Sequence, residues 1–474
     1  MTNWLGLLVS AIYIVVIVGI ASFCYKKKKI KFEESRKFIH IGLCNWWLIA
    51  WIFFDNYIFA SILPAIFIIL NYLNYQFQIV PGIEEKKRGI GTVFYAIALF
   101  ILTATLFQNK DYLYIGAVAI LALGYGDGIG GLITEYIGKH KFELKNKSVE
   151  GSLVCFIVTF LTTIVVLQTT YVGSMLVPYS IYIAVMATML ELFSPKNTDN
   201  LFMPLGTALY TYLVLNQNYM ESFNIAFTVT SVIIFGVMAT KALTPAGSFF
   251  ALLLGTALYC LAGPYVFFAL ILFFVSSCLI EHYHKKKKKE KQRNIFQVIE
   301  NGLPCLLFAI MYYFTKNEIA IIGCLTAIAG STSDTWSSGI GYYSKERVKT
   351  LFSRKELPKG SSGGVTKLGL LGGLAGSLLI ALFSLFLGLE HVGASFLLIF
   401  VFGFFTTLLD SIFGELFQVK YFDKVKEEFL ETKPKGNKNV VKISGFSFLT
   451  NGVVNLVTVV ISSLLSCLLA YFII

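Results

Sequence analysis

A chain of 474 residues that is 56% hydrophobic and 14% charged, with a mean hydropathy of +0.72, is too apolar for a soluble globular protein, where about a quarter of residues are charged. Apolar runs near the ~20 residues that cross a bilayer recur without strict alternation, which excludes a β-barrel and predicts an all-α, polytopic integral membrane protein. The formal net charge of +12 would suit nucleic acid, but the positions of the basic residues account for it otherwise, and no nucleic-acid partner is expected.

Sixteen spans are predicted, at 4–23, 38–54, 57–75, 90–107, 112–130, 152–169, 174–193, 204–216, 224–240, 247–262, 264–281, 302–315, 319–333, 369–388, 392–416 and 448–473. The first is read as a span and not a cleaved signal, because no basic residue precedes it and the lysines at 26–29 follow it. When the gaps alternate inside and outside, every Lys and Arg except Lys110 and Lys316 falls inside. Basic residues resist translocation, so the predicted topology puts both termini outside and every long polar loop in the cytoplasm. The eight cysteines form no C-x-x-C pair, and neither a zinc site nor a disulfide framework is expected.

The spans divide around 216–222 into two consecutive helical-bundle halves, 1–222 and 223–474. Each half carries an Asp at a helix end, a basic loop, a Gly/Ser cluster and a later acid on the same side. A transporter of inverted repeats is the competing reading of a two-part membrane chain. Eight spans per half, however, would leave both halves in the same orientation.

In the first half, E-E-S-R-K-F-I-H-I-G places Arg36 and His40 four apart on one helical face, with Lys37 alongside. L-A-L-G-Y-G-D-G-I-G-G then sets Asp127 among glycines at a helix end. An Asp at mid-membrane costs ~2.5–3.5 kcal/mol, so it belongs at the interface or in a wet cavity. Lys139, Lys141, Lys145 and Lys147 follow, and Ser148, Glu150, Gly151 and Ser152 open the next helix, whose free N–H groups suit phosphate. Glu191 and Asp199-Asn200 add acids on the same side. An acid to hold Mg²⁺, with lysines and a helix start for phosphates, makes up the recurring parts of a phosphoryl-transfer site. The plainer account is a glycine-packed helix with interfacial lysines.

The set Arg36-Lys37-x-x-His40, Gly126-Asp127-Gly128 with Gly138-Lys139, Lys147-Ser148-x-Glu150-Gly151-Ser152, and Glu191 with Asp199-Asn200 resembles the CTP-dependent polyprenol kinases, the dolichol kinase/phytol kinase group, over about residues 30 to 206. The resemblance implies phosphate transfer from CTP to a membrane-dissolved isoprenoid alcohol. It makes Asp127 and Glu150 candidates for metal and nucleotide work. The acidic signature that ends the neighbouring phosphatidate cytidylyltransferases is absent from the sequence.

The second half offers the lysines at 285–289, read as an anchor near acidic lipid, with Gln297 and Asn301 beyond them. Next come S-T-S-D-T-W around Asp334, and the run Lys359, Gly360, Ser361, Ser362, Gly363, Gly364, Val365, Thr366. L-L-D-S-I-F-G-E-L-F-Q carries Asp410, Ser411 and Gln418, and Asn451 and Asn455 close the set. A Gly/Ser run that returns at once to the membrane suits a backbone nest for phosphate better than a linker. From about 240 to 460 these elements resemble the phytyl-phosphate kinase family of plants and its microbial relatives, which is implied to convert a prenyl monophosphate to the diphosphate. Ser337-Ser338-Gly339 departs from the alanine and acid that often follow the tryptophan in that family.

Joined, the resemblances imply a bifunctional isoprenoid-salvage kinase of the cell membrane with both sites facing the cytoplasm. Its partners would be a nucleoside triphosphate, CTP or another, the prenol and its monophosphate, and the bilayer, with Mg²⁺ as cofactor. Asp127 or Glu150, with Glu191 or Asp199, would hold the cation, and Arg36, Lys37, Lys139 and Lys147, with Ser148, Gly151 and Ser152, would face the phosphates. Asp334 and Asp410 would take the acidic roles in the second site, with Lys359 and the 360–364 loop cradling phosphate. The alternatives are a lipid cytidylyltransferase, which releases pyrophosphate, and an isoprenoid transporter, which predicts acids paired at mid-span.

Overall fold

The computed structural model describes residues 2–77, 79, 90–142, 147–170, 173–195, 197–216, 220–284, 292–357, 362–423, 428–430 and 439–474. The chain forms two compact units, Met1–Lys241 and Ala242–Ile474.

The first unit contains α1 (Thr2–Lys26), α2 (Phe32–Cys44), α3 (Trp46–Phe53), α4 (Tyr57–Phe77), α5 (Gly91–Leu106) and α6 (Leu113–Leu121). A π-helical turn, Ala122–Asp127, joins α6 to α7 (Gly128–Tyr136). Then follow α8 (Val149–Gln168), α9 (Leu176–Phe193), α10 (Asp199–Asn216) and α11 (Glu221–Ala239). The structural division thus groups α11 with the first unit, whereas the sequence division placed it in the second.

The second unit contains α12 (Pro245–Ala262), α13 (Pro264–His284), α14 (Ile295–Thr315), α15 (Glu318–Gly341), α16 (Lys367–Ala381), α17 (Val392–Leu416) and α18 (Asn451–Ile473). Two three-stranded antiparallel sheets lie in its polar loops. One is centred on β1 (Val348–Thr350), flanked by β2 (Glu356–Leu357) and β3 (Gly364–Val365). The other is centred on β4 (Lys420–Asp423), flanked by β5 (Glu428–Leu430) and β6 (Val440–Ser444).

Every predicted span has a helical counterpart, and the chain is a helical, polytopic integral membrane protein. Among the described residues eleven helices are long and apolar enough to cross a membrane, and Gly91–Leu106 and Pro264–Ile280 are shorter apolar helices. The remaining predicted spans correspond to α2 with α3, α10 and α15. The stretch predicted as one span at 38–54 is divided at Asn45, whose amide donates to Ile41 O (3.3 Å) and whose Oδ1 accepts from Tyr125 OH (2.8 Å).

Four helices that follow basic loops have side-chain caps. Ser148 accepts from Gly151 N, Thr244 from Gly247 N, Asn294 from Gln297 N and Thr366 from Gly369 N. Each cap satisfies one of the orphan amides that an apolar helix start would otherwise leave unpaired. Gln297 is explained this way, since it completes a capping box with Asn294.

Small residues set the packing. In the first unit α7 and α8 meet at Gly130 and Gly151: a Cβ on Gly130 would fall 2.7 Å from Gly151 O. This is the close backbone approach that small residues allow between membrane helices. In the second unit α15 is central and packs against α13, α14, α16, α17 and α18. Its residues 320–333 are buried on every face, as a helix apolar all round requires.

Candidate functional site

The site of the first unit is built around Asp127, which closes the π-helical turn. Such turns occur frequently at functional sites, because the extra residue re-aims the side chains around it. Asp127 is 7% exposed. Lys37, from α2, donates its Nζ to Asp127 Oδ2 (2.8 Å) and to Asp127 O (3.0 Å). That reach depends on Gly131, where a Cβ would stand 2.6 Å from both Cε and Nζ of Lys37. His40, one turn further along α2, brings Nε2 to 3.7 Å from Asp127 Oδ2 and packs its ring on Tyr95 at 5.3 Å between centroids.

A second charged group lies beside the first. Lys147, just before α8, pairs with Glu191 of α9 and stands 3.7 Å from Asp199 Oδ2 at the start of α10. Burial opposes the charge on Lys147, but Glu191, Asp127 and Asp199 outweigh it and raise its pKa above the ordinary lysine value. Ser148 is fixed by Thr134 (Oγ···Oγ1 3.0 Å) and caps α8 at Gly151 N (3.1 Å). Two buried charge groups are therefore locked to three helix ends by short polar contacts.

These groups line one end of a cavity of about 970 Å³. Arg36, Lys37, His40, Asp127, Lys147 and Glu191 stand at its polar end, with Asp199, Asn200, Gly151 and Ser152 nearby. The other end is apolar. It is lined by Ile14 and Val18 of α1, Leu43 and Trp46, one face of α4 (Leu63, Pro64, Phe67, Leu70), and Tyr95, Ala96 and Leu99 of α5. Asn71 Nδ2 donates to Thr92 O and Asn200 Nδ2 to Gly91 O, both at 3.0 Å, which ties α4, α5 and α10 together where the polar end begins. His40 Nε2, Tyr95 OH and Glu191 Oε2 are buried with no hydrogen-bond partner among the described residues. The arrangement can hold an anion on two lysines and an apolar tail below them.

Among the predicted site residues, Lys37, Asp127, Lys147, Gly151, Ser152, Glu191 and Asp199 come together in this cavity. Arg36 lines it too, and is paired with Glu33 (3.1 Å). Lys139 is exposed and outside the lining. Glu150 also lies outside the lining: it accepts from the backbone N–H of His140 (3.2 Å) and stands 2.6 Å from His140 Nδ1, closing the turn that precedes α8. Lys145 lies outside the described residues. Residues that the sequence did not single out are Asn71, Tyr95 and Thr134, polar positions within apolar helices. His40, placed by the sequence on one helical face with Arg36, lies inside the cavity.

In the second unit Asp334 of α15 directly follows Ser333, and Asp410 of α17 lies three residues beyond Thr407. Ser333 and Thr407, their neighbours on the two helices, are joined Oγ to Oγ1 at 2.7 Å. With its side-chain amide oriented to satisfy both neighbours, Asn455 of α18 donates to Asp410 Oδ1 (3.0 Å) and Asn451 O (2.8 Å). Ser362 Oγ donates to Gln418 Oε1 (2.5 Å). Gly363, at φ +81°, packs so closely on α17 that a Cβ would fall 2.7 Å from Glu415 N, and Gly364 pairs with Thr350 in the sheet. Lys359, Gly360, Ser361 and the lysines at 285–289 lie outside the described residues. Among the described residues no group of three or more His, Cys, Asp or Glu converges on a common metal position.

Comparison with known proteins supplies the family. Residues 228–463 match the family described as integral membrane protein DUF92. The chain is 30% identical to the phytol kinase of Synechocystis over 220 residues, covering 44% of this chain and 91% of that one. It is 32% identical to protein PGR of Arabidopsis thaliana over 206 residues, 38% of this chain and 70% of that one. It is 38% identical over 109 residues to an uncharacterized membrane protein of Methanocaldococcus jannaschii, 23% of this chain and 45% of that one. No solved structure matches. With nine-tenths of the cyanobacterial protein accounted for, the chain belongs to the family of the Synechocystis phytol kinase.

Proposed function

We propose that the chain is a bifunctional membrane kinase that phosphorylates an isoprenoid alcohol in its first unit and the resulting monophosphate in its second, with CTP as donor. The observation that carries the first step is the two-ended cavity: lysines and carboxylates at one end, an apolar slot between α1, α4 and α5 at the other. A prenol is a molecule of that form, one hydroxyl on a hydrocarbon tail. The similarity to the Synechocystis phytol kinase supports the same reading.

In the proposed first step the prenol oxygen attacks the terminal phosphorus of the nucleotide. An O–P bond forms, the bond to the bridging oxygen breaks, and the nucleoside diphosphate leaves. Transition states of this class carry their charge on phosphoryl oxygens, so catalysis is mostly positioning and charge stabilisation. Lys37 and Lys147 supply the positive charge, with Arg36 at the rim. His40 Nε2, without a hydrogen-bond partner, accepts the hydroxyl proton. Asp127 orients Lys37, and its Oδ2 stands 3.7 Å from His40 Nε2.

A divalent cation fits the donor chemistry. Asp127, Glu191 and Asp199 are hard oxygen donors, Glu191 Oε2 has no other partner, and Mg²⁺ commonly takes one or two carboxylates plus substrate phosphates. When bound it would neutralise charge on the phosphates. The second step is assigned to Asp334 and Asp410, and rests on the sequence resemblance of that half, supported by the Ser333–Thr407 contact that joins the two helices carrying those acids. Both sites are proposed to face the cytoplasm, where basic loops are retained.

Purified protein in liposomes, given a prenol and CTP labelled in the terminal phosphate, should yield labelled mono- and diphosphate and release CDP. Asp127→Asn should abolish both products from the alcohol yet still convert added monophosphate, while Asp334→Asn should let monophosphate accumulate. Release of pyrophosphate in place of CDP, or diphosphate formation by Asp334→Asn, would refute the assignment.

A further inference from the structure

We infer that the β1–β2 hairpin of the second unit docks on the lipid surface from which α17 emerges, with Leu351 and Phe352 dipping among the acyl chains and Arg354 and Lys355 meeting anionic head groups. Nothing in this placement depends on the kinase reading.

The hairpin is closed by its own polar groups. Thr350 N donates to Lys355 O and Lys355 N donates to Thr350 Oγ1, both at 2.9 Å. Thr350 and Ser353 are joined Oγ1 to Oγ at 2.9 Å, and Arg354 turns the chain at φ +54°. The tip of this built turn is apolar: Phe352 is 71% exposed, and the half-buried Leu351 precedes it. Arg354 and Lys355 are exposed and make no ion pair among the described residues, whereas the nearby Arg347 is held by Glu356 at 3.0 Å.

A single exposed phenylalanine on a loop is ordinary. What gives this one a partner is where it is held. Glu415 accepts at Oε2 from Phe352 N and at Oε1 from Ser353 N, both at 3.0 Å. Glu415 lies in the last turn of α17, whose 25 residues make a candidate span. Such a helix extends about 37 Å against a hydrocarbon core of about 30 Å, so its last turn stands at the membrane interface. Leu397 precedes Glu415 by about five turns at 3.6 residues per turn, so the two side chains leave the helix in the same direction. Leu397 and Val401 are exposed, which in a spanning helix is the lipid-facing row. The carboxylate therefore hangs the hairpin on the lipid side of α17, at the level where the helix leaves the bilayer.

A second loop marks the same level. Phe446 N donates to Phe417 O (3.0 Å), Phe446 and Phe448 are exposed, and α18 starts at Asn451 just beyond them. Aromatic side chains flanked by basic ones are the composition that settles in a head-group layer carrying negative charge. Through β1 the docking also reaches the Gly/Ser loop, because Lys349 pairs with Val365 and Thr350 with Gly364.

The test puts a tryptophan at the tip of the full chain in liposomes. Phe352→Trp disturbs no buried contact, and the emission it adds to that of the five native tryptophans is read by difference. In phosphatidylglycerol bilayers that emission should be strongly quenched by bromine on the upper acyl chain and shielded from aqueous iodide. Adding Arg354→Gln and Lys355→Gln should lower the inserted-to-free ratio in those bilayers by about twenty- to thirtyfold, at about fivefold for each basic residue near an anionic surface. In phosphatidylcholine bilayers the two changes should have no effect. Emission quenched freely by iodide and untouched by brominated lipid would overturn the inference. Emission shielded from both would mean that protein, a second copy of the chain, covers the tip, and would overturn it equally. Unchanged insertion of the double-glutamine variant in phosphatidylglycerol would overturn the assignment of the head groups.

Discussion

Replacing Gly131 by alanine isolates the Lys37–Asp127 pair from the rest of the fold. In the middle of a helix such a change gains up to about 1 kcal/mol of helix propensity. The new methyl would meet Cε and Nζ of Lys37 at 2.6 Å, the far end of a flexible side chain that can swing aside. The backbone would therefore be spared and the thermal midpoint should stay within a few degrees of the original. What is lost is the lysine's aim, and with it one charged donor of the proposed transition state. Removing such a donor costs about 3–4 kcal/mol in enzymes, so kcat for the prenol step should fall about a hundredfold or more. Gly130→Ala is the contrasting control, because its methyl meets Gly151 O at 2.7 Å, a backbone atom that can yield only if α7 and α8 part. Its cost should appear as about 1–3 kcal/mol of stability. Both variants would be measured by thermal unfolding in detergent and by single-turnover phosphorylation. Full activity in Gly131→Ala, or the same thermal loss in both, would refute the argument.

Lys147→Met should leave Glu191 buried without its partner and cost about 3–5 kcal/mol of stability as well as activity; a double change with Glu191→Leu should recover much of the stability and none of the turnover. Ser148→Ala removes the cap of α8 and the partner of Thr134, which should lower stability by about 0.5–2 kcal/mol in thermal unfolding. Glu150→Gln should reduce the prenol step far less than Asp127→Asn does, because Glu150 serves the His140 turn, and equal losses would contradict that placement. Gly363→Ala should destabilise the second unit by about 1–3 kcal/mol, since both its φ of +81° and its contact with Glu415 N exclude a side chain.

Much of this was legible in the sequence, for identifiable reasons. Span positions follow from apolar run length, and the acids and lysines of the first site follow from the rarity of such residues beside membrane helices. Asp127, Lys37 and Lys147 could be nominated that way, but their pairing could not, since Lys37 and Asp127 are far apart in the chain and meet only because Gly131 is bare. Glu150 carries the same sequence signal as Asp127 and is drawn off by a local contact with His140. His40 could be put on one face with Arg36 but not into a cavity, because nothing in α2 alone says that α5 will press Tyr95 against it. The two small sheets had no signal either, as their strands are two to five residues long and lie in charged loops. The apolar slot was invisible for a deeper reason: in a chain that is 56% hydrophobic, a lining leucine and a packing leucine are the same letter.

The charged end of that slot pairs each of its lysines. Lys37 sits against Asp127, and Lys147 against both Glu191 and Asp199, so two ammonium groups face three carboxylates and the excess charge is negative in a region of low polarity. On the proposed function, a nucleotide entering alone would draw the lysines to its phosphates and leave three carboxylates uncompensated. A cation entering with it would compensate them, so the pairs would hold the site in shape between turnovers and favour the nucleotide and cation together over the nucleotide alone. The apolar slot makes the coupling strong, because the same water exclusion that suits a hydrocarbon tail raises the cost of any charge left without a partner.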